Sequence, residues 1–455
     1  MTVVRLILRS LVFYARIHAG PLLGAAVGSA VLIGALVVGD SMRLTLRQMA
    51  LLRLGNVHYA LASGDRLFRA QLGLELPASL APAGYAQAKP LLTASVLQLP
   101  GVATTVNGAG RANQVQVLGV DERFWRLADR PVPLAALPPD ALVLNQALAA
   151  QLRARVGQDI VLRIQKPSHL SRDAPLAPEE DATVALRSRV YAVVGDDQLG
   201  RFSLQASQTP PFNAFVSLAA LQSRTAAPGR ANLLLVGALP PPPPVFTVSP
   251  GSAMPTTAAS ARDPLERLSQ ALRARWQLED AELEWRELPE WRALELRSRR
   301  VFLDQPIADA VLGGPGLTNA VAARVANRLP LARPAGVLTY LVNELRVGDR
   351  VTPYSMVAAT GPPLTPADLR DDEVLINQWL ADDLAAKPGD ELTLRYYVVG
   401  PARRLDERSA RFRVRGVLPM NSPGLDRNLM PDFPGLTDAA TCRDWDTGLP
   451  IQTDR

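Results

Sequence analysis

The feature that most constrains this chain is an uncharged stretch near its N-terminus, residues 19–39. It holds 21 residues, and Ser29 carries the only hydroxyl group among them. At about 1.5 Å of rise per residue, a helix of this length crosses a hydrocarbon core that is about 30 Å thick. Backbone polar groups in lipid must be bonded within their own segment. We therefore predict a transmembrane helix over residues 19–39.

A soluble core helix and a cleaved signal peptide both fit this stretch less well. A buried helix of a soluble domain rarely runs so far without a polar face. A cleaved signal peptide has an apolar part of about 7–15 residues, which is shorter than this one. Pro21 lies near the start of the predicted span, where its missing N–H costs little. The pattern favours an uncleaved anchor.

The segments on either side of the span are also predicted to be helical. Residues 1–18 form an amphipathic pattern in which Arg5, Arg9 and Arg16 project within about 40° of one another. Such a helix lies along the headgroup layer before the chain enters the bilayer. Residues 40–55 continue the helical spacing as a stalk, and Gly55 is a natural stop.

A glycine stripe marks one face of the predicted span. Gly20, Gly24 and Gly28 recur at intervals of four, so they share one side of a helix. Small residues there allow a second helix to approach closely, which predicts a packing face. The alternative is that glycine is simply frequent in transmembrane helices.

The chain beyond residue 55 contains no second apolar run of spanning length, so about four hundred residues are predicted to lie in water. Five consecutive prolines at 240–244 favour an extended conformation that joins neither helix nor sheet. We therefore predict a first lobe at 56–237, a proline-rich linker at 238–262 and a second lobe at 263–455. Within them, 57–61, 115–120 and 283–286 have strand patterns, and Asp263 begins a helix.

The two lobes repeat one pattern. Residues 140–163 and 372–395 align without a gap at an offset of 232. Each predicts a strand, a helix that begins at an asparagine, a glycine turn and a second strand, and a further strand is predicted at 189–194 and 411–417. The alternative is a common strand–helix–strand motif that arose twice. We favour duplication and predict an α+β fold: N-terminal helices followed by a large mixed α/β domain with two related lobes.

Residues with catalytic potential are few. Gly39-Asp40-Ser41 matches the start of the GDSL motif of esterases and lipases, but the only histidines are His18, His58 and His169. A serine without a histidine base is a weak nucleophile, so a hydrolase that uses Ser41 is the least favoured alternative.

Other chemistry finds no support in the sequence. There is no Gly-Lys pair for a phosphate-binding loop, and three histidines with the single Cys442 do not make a zinc site. The net charge of +6 is spread along the chain rather than clustered with aromatics, which argues against nucleic acid. We predict no catalytic residue, cofactor or metal.

The order of parts resembles the MacB/FtsX-type permease subunits of ATP-binding-cassette transporters. The similarity lies in the arginine-bearing helix 5–16, the end of the span at 35–43, Arg53-Leu-Gly55 and the two Asn-Gln-x-Leu-Ala segments. It implies a non-enzymatic permease of the bacterial inner membrane with a cytoplasmic N-terminus and a periplasmic domain. It also implies a cytoplasmic ATPase as partner and a second permease copy or half.

Two points remain open after this resemblance. The family has further transmembrane helices after its periplasmic domain, so we expect this sequence to be a fragment of a longer permease. The alternative is a single-pass anchored periplasmic binding or assembly protein. The orientation of the span in the membrane is predicted from the resemblance. Arginines flank the span on both sides, so the distribution of positive charge does not decide it.

Overall fold

The computed structural model describes residues 3–80, 91–130, 137–167, 183–205, 209–239, 263–289, 293–300, 302–313, 334–400 and 404–422, with short pieces at 132, 134, 207, 246–247, 256–257 and 425. It has a long apolar N-terminal helix followed by a mixed α/β region, as the sequence predicts. The proline run 240–244 lies outside the described residues. Within the predicted linker, a two-residue antiparallel pair joins β11 (Phe246–Thr247) to β12 (Thr256–Thr257).

The described helices are named in chain order. They are α1 (Val3–Phe13), α2 (Ala15–Leu54), α3 (Leu72–Leu80), α4 (Glu122–Trp125), α5 (Gln146–Leu152), α6 (Leu218–Arg224), α7 (Pro264–Arg275), α8 (Gln305–Gly313) and α9 (Gln378–Leu384). Single 3-10 turns lie at Asp196–Gln198 and Leu278–Ala281.

The first lobe is built on an eight-stranded sheet. Its strands are β1 (Tyr59–Ala62), β3 (Thr93–Thr105), β4 (Arg111–Val120), β5 (Ala141–Asn145), β6 (Asp159–Gln165), β7 (Thr183–Val194), β8 (Phe212–Ser217) and β10 (Leu233–Val236). A small separate pair joins β2 (Phe68–Arg69) to β9 (Arg230–Ala231). Because β3 pairs with both β4 and β6, the order β3-β4-β8-β5-β7-β6 closes on itself into a ring. The predicted strands at 57–61 and 115–120 are confirmed as β1 and β4.

The second lobe has a five-stranded sheet with its own apolar core. Its order is β16-β15-β18-β19-β17, from β15 (Val337–Val347), β16 (Arg350–Thr360), β17 (Glu373–Asn377), β18 (Glu391–Val399) and β19 (Leu405–Leu418). Its core holds Val342, Leu345, Leu384, Leu392 and Val414. In the part of the chain that is described, this sheet does not close into a ring.

The backbone confirms the internal repeat. Asn145 and Asn377 cap α5 and α9 with nearly the same backbone angles, φ −79° and −80°. In each copy the helix is followed by a glycine turn, an antiparallel strand and a third strand that returns parallel to the first. The parallel pairing even carries the same bulge in both copies, at 142/143 and 374/375.

The two capping asparagines give the first prediction. Both side chains accept a hydrogen bond from the helix, at 3.0 Å from Leu148 N and 2.8 Å from Leu380 N. Asn145 also accepts from Asn213 N at 3.2 Å and donates to Pro211 O at 2.7 Å. A lost cap costs about 1 kcal/mol, and each further buried hydrogen bond about 0.5–1.5 kcal/mol. We expect Asn145→Ala to lower the free energy of unfolding by about 2–4 kcal/mol.

The repeat supplies the matched control for this change. Asn377→Ala removes the same cap without the bonds to the β8 segment, so it should cost about 1 kcal/mol. Urea denaturation of both variants in detergent measures the difference. Equal losses would show that the additional bonds of Asn145 contribute nothing.

Residues 263–304 contact the first lobe, although they follow the linker. Asp280 accepts hydrogen bonds from Arg69 N at 2.9 Å and from Arg69 Nη2 at 2.9 Å. Leu268, Ala271 and Leu272 of α7 pack on a core cluster that includes α3. The segment also contains the hairpin β13 (Leu283–Leu288) and β14 (Ala293–Ser298), which confirms the predicted strand at 283–286. We call residues 263–304 the clasp; the domain boundary at 262/263 stays a prediction.

Ion pairs hold the clasp on both sides of its hairpin. Arg66 Nη2 donates to Asp304 at 2.6 Å, and Arg300 Nη2 donates to Asp65 at 2.9 Å. Burial alone would lower the pKa of Arg69, but the hydrogen bond and charge of Asp280 outweigh it and raise that pKa. The clasp therefore depends on charged groups that are paired across more than two hundred residues of sequence.

One of these pairs makes the clasp sensitive to acid. Burial raises the pKa of Asp65, but the hydrogen bond and charge of Arg300 outweigh it and lower that pKa below the usual 3.8. Stability from a lowered carboxyl pKa is present above about 3.8 and is lost as the pH falls through the folded value. We expect the urea midpoint to fall more steeply below this pH in the native chain than in Asp65→Asn. If the urea midpoints of the native chain and of Asp65→Asn fell equally with decreasing pH, the Asp65–Arg300 pair would make no contribution.

Candidate membrane-coupling site

The N-terminal helical region breaks at Tyr14 rather than continuing to residue 18. The amides of Ile17 and His18 both bond to Tyr14 O, at 2.9 and 3.0 Å, so a new helix begins at Ala15. The predicted helix 1–18 is therefore too long by its last turn. Arg5 and Arg9 lie on α1, whereas Arg16 lies on α2 beyond the break. Their common membrane-facing direction stays a prediction.

The predicted span and stalk form one helix. α2 has 40 residues, which corresponds to a length of about 60 Å. Among the described residues it is the one helix long and apolar enough to cross a membrane, and none of its most apolar window is buried. Because α2 begins at Ala15, Pro21 lies inside the helix and removes a backbone hydrogen bond; the prediction that it lies at the helix start is wrong.

The glycine stripe lies on this exposed helix. Gly20, Gly24 and Gly28 each face open space, with no atom within 4 Å of an added Cβ. A close-packed partner helix would fit this face, and the packing role of the three glycines stays a prediction.

The C-terminal end of α2 is joined to the first lobe by a short, closely packed turn. Gly55 ends the helix with φ +52°, as its position in the sequence predicts. The next residue, Asn56, donates its backbone N–H to Leu127 O at 2.8 Å and its side-chain amide to Ala128 O at 3.2 Å. Arg53 in the last turn is only 8 % exposed. We call residues 53–57 the joint.

The joint rests on an aromatic cluster of the first lobe. Phe124 lies 5.1 Å from Trp125, 5.5 Å from Phe202 and 5.7 Å from Phe215, measured between ring centroids. Leu54 packs against the same core. Asp121 holds α4 in place by accepting from Arg123 N at 3.0 Å. Since Phe215 belongs to β8, the contacts run from the helix end to a strand of the ring.

The joint also gives a prediction, because Gly55 has two reasons to be glycine. Its positive φ disfavours other residues, and a Cβ would lie 2.7 Å from Leu127 O and 2.9 Å from Leu199 Cδ2. We expect Gly55→Ala to lower the free energy of unfolding by about 1–3 kcal/mol and to raise hydrogen exchange at Asn56.

Gly64→Ala is the matched control for Gly55. Gly64 has φ +67° but open space around its Cβ position, so its substitution tests the backbone term alone. A larger loss of unfolding free energy for Gly55→Ala than for Gly64→Ala would confirm the close packing at the joint. Equal effects would mean that the contact with Leu127 adds nothing to the backbone strain.

Sequence reasoning missed part of this site. The pattern predicted the stalk and its stop, but not Asn56 or the aromatic cluster below it. The signal for Asn56 was weak: a polar residue directly after a helix stop and before a strand. The cluster had none, because Phe124, Phe202 and Phe215 meet only through the tertiary fold.

The candidate nucleophile lies inside a continuous helix. Ser41 lies within α2 and its carbonyl accepts from Thr45 Oγ1 at 2.9 Å, so helix continues on both sides of Gly39-Asp40-Ser41. The strand that precedes the serine in GDSL hydrolases is therefore not present here. Among the described residues, no three His, Cys, Asp or Glu side chains come together as a metal site would require.

Comparison with known proteins leaves the family undefined. No family model and no curated protein matches the sequence. Among solved structures, the periplasmic region of MacB from Actinobacillus actinomycetemcomitans is similar at 11% identity and a TM-score of 0.24, over 41% of this chain and 77% of that one. The extracellular domain of the noncanonic ABC-type transporter YknZ from Gram-positive bacteria is similar at 10% identity and a TM-score of 0.22, over 39% and 82%.

Proposed function

We propose that the chain is the membrane-anchored part of a permease subunit of the MacB/FtsX type. In this role α2 crosses the bacterial inner membrane from a cytoplasmic N-terminus and carries both lobes on the far side. A cytoplasmic ATP-binding-cassette ATPase is the proposed partner, together with a second permease copy or half. The subunit transmits motion for export or for mechanotransmission and performs no chemistry itself.

The observation that carries this proposal is the unbroken helix from Ala15 to Leu54 with its tight joint. Residues 19–39 of the helix fill about 30 Å of bilayer, and residues 40–54 extend about 20 Å further, between the membrane and the lobe. A continuous helix transmits a tilt along its length, whereas a flexible linker would absorb it. Because the C-terminal end of α2 packs on the aromatic cluster, a tilt of the helix would displace the first lobe.

A short amphipathic helix before the span fits the same role. α1 is exposed along its whole length and carries Arg5 and Arg9 beside apolar side chains such as Leu6 and Phe13. Such a helix binds at the headgroup layer, where an ATPase on the cytoplasmic face would reach it. This position would couple nucleotide-driven movement to the base of α2.

A reporter fusion tests the proposed arrangement. Alkaline phosphatase fused after Leu61 should be active, because this position lies beyond the joint and so outside the cytoplasm. Activity confined to a cytoplasmic reporter at Leu61 would remove the permease proposal. Sequencing the gene downstream of Arg455 separates the permease from an anchored binding protein: three or more apolar spans support the permease, and an immediate stop codon supports the other.

A further inference from the structure

The two copies of the repeat carry the same charge pattern on one face of a strand pair. In the first lobe β6 pairs with β7, and the residues that point outward alternate with buried ones. β18 and β19 form the corresponding pair in the second lobe. Each outward face carries three exposed arginines, which we call the arginine face: Arg163, Arg187 and Arg189 in the first lobe, and Arg395, Arg411 and Arg413 in the second.

The charges occupy the same positions in the pairing of the strands. Over three alternate pairs, β6 contributes an acidic residue, an uncharged residue and an arginine, and β7 contributes two arginines and a small residue. β18 and β19 repeat this order with the same charge at every position. The pairs are Asp159–Arg189, Val161–Arg187 and Arg163–Ala185 in the first lobe, and Glu391–Arg413, Thr393–Arg411 and Arg395–Ser409 in the second.

Other exposed positions of the repeat differ in charge between the two copies. Ala150 and Gln151 lie exposed on α5, and their counterparts on α9 are Asp382 and Asp383. The residues of the arginine faces are exposed as well, so packing in a core does not require arginine there. Because burial does not account for the charges, their common pattern indicates a shared role at the surface.

The acidic residue of the first lobe shows how this face binds a carboxylate. Asp159 accepts hydrogen bonds from Arg187 Nε at 3.0 Å, from Arg187 Nη2 at 2.7 Å and from Arg189 Nε at 3.4 Å. The bonds from Arg187, followed by those from Arg189, lower the pKa of Asp159. The two arginine side chains nevertheless remain 66% and 69% exposed. They can therefore receive further carboxylates from outside the chain.

The arginine face of the second lobe contacts its acidic residues more loosely. Arg411 Nη1 lies 3.6 Å from Glu391 Oε1, and Arg395 Nε lies 3.8 Å from Glu344 Oε1. Both distances exceed the length of a good hydrogen bond. An outside carboxylate therefore competes with weak contacts on this face.

We propose that each arginine face binds an acidic polypeptide whose carboxylates project from one side of an extended segment. Arginine binds a carboxylate through paired hydrogen bonds, as Arg187 binds Asp159. Arg187 and Arg189 are two residues apart on one strand, so their backbones are about 7 Å apart, which is also the spacing of alternate side chains in an extended peptide. Anionic lipids present phosphate groups without a fixed spacing, so the polypeptide is the better match.

The experiment uses the full chain in nonionic detergent and a fluorescent peptide of six Glu-Ser repeats. Fluorescence anisotropy should show saturable binding that weakens as salt is added, and a peptide of Gln-Ser repeats should not bind. Arg187→Ser with Arg189→Ser should halve the amount of peptide bound at saturation. The addition of Arg411→Ser with Arg413→Ser should weaken the remaining binding about tenfold, a difference of about 1.4 kcal/mol.

Arg126→Ser with Arg130→Ser is the matched control for the first pair of substitutions. These arginines are 58% and 73% exposed, and each lies beside one carboxylate, that of Glu122 or Asp197. The control removes the same charge from the same lobe but leaves both arginine faces intact. It should bind the peptide like the native chain.

Asp159→Asn should act in the opposite direction. It removes the carboxylate that Arg187 and Arg189 share, so the peptide should bind to the first lobe about two- to threefold more tightly. A misfolded variant would not produce this gain. Asp197→Asn removes an exposed carboxylate beside Arg130 and should leave binding unchanged.

Four results would overturn the proposal. The first is no saturable binding, and the second is an equal loss in the Arg126→Ser, Arg130→Ser control, which would indicate diffuse positive charge. The third is binding of phosphatidylglycerol vesicles without binding of the peptide. The fourth is binding that appears only when Glu179-Glu180-Asp181 is neutralised, which would make that segment the occupant. None of these outcomes depends on the membrane topology or on an ATPase.

Discussion

Asp280→Ala should lower the free energy of unfolding by about 3–5 kcal/mol, because it breaks a buried ion pair and leaves the partner charge behind. The Asp280 side chain is fully buried, and that of Arg69 is 14% exposed. Besides the guanidinium and backbone of Arg69, Asp280 accepts from Gln277 N at 2.9 Å. Without it, Arg69 keeps only Glu75, at 3.3 Å, as a charged partner in the described part of the chain.

Urea denaturation and limited trypsin digestion measure the effect of this change together. We expect faster cleavage at Arg273 and Arg275, which are exposed at the end of α7, because the clasp opens more often. Asp309→Ala is the control: Asp309 is exposed and, among the described residues, accepts only a local bond from Gln305 at 2.7 Å. A loss below about 1 kcal/mol for Asp280→Ala, with unchanged digestion, would mean that the pair does not hold the clasp.

The double substitution Leu32→Arg with Leu36→Arg should prevent the chain from staying in the membrane. Both side chains are about two-thirds exposed along α2, in the uncharged part of the helix. An arginine near the centre of a transmembrane helix costs about 2.5–3.5 kcal/mol on insertion scales, so the pair costs about 5–7 kcal/mol. We expect the double variant to leave the membrane fraction on alkaline carbonate extraction.

The same helix provides the control for this experiment. Leu44→Arg with Leu51→Arg places two arginines on the predicted stalk, where exposure is similar and we expect water rather than lipid. This variant should remain membrane-bound. If both double variants were retained equally, residues 19–39 would not be the membrane span.

Much of the secondary structure could be predicted from local pattern. The apolar run indicated the long helix, Gly55 its end, and Asp263 the start of α7. The Asn-Gln-x-Leu-Ala repeat was visible because its cap, its helix and its glycine turn are all encoded within a few residues. Such local rules need no knowledge of distant contacts.

The predictions that failed, and the features that were missed, depend on distant contacts or on small backbone changes. The break at Tyr14 lies inside a pattern that is helical on both sides, so periodicity did not reveal it. Asp280 and Arg69 lie 211 positions apart, and nothing near either residue points to the other. The closing of the ring by β8 follows from strand order, which local sequence does not encode.

The central claim is that α2 crosses the membrane and puts the lobes on the opposite side from α1. Single cysteines test it in intact cells, with Cys442→Ser as the background. Ala109→Cys, on the exposed turn between β3 and β4, should react with a membrane-impermeant maleimide. Ser10→Cys on α1 should react only after the membrane is permeabilised. Equal labelling of both positions in intact cells, or recovery of both proteins in the soluble fraction, would contradict the claim.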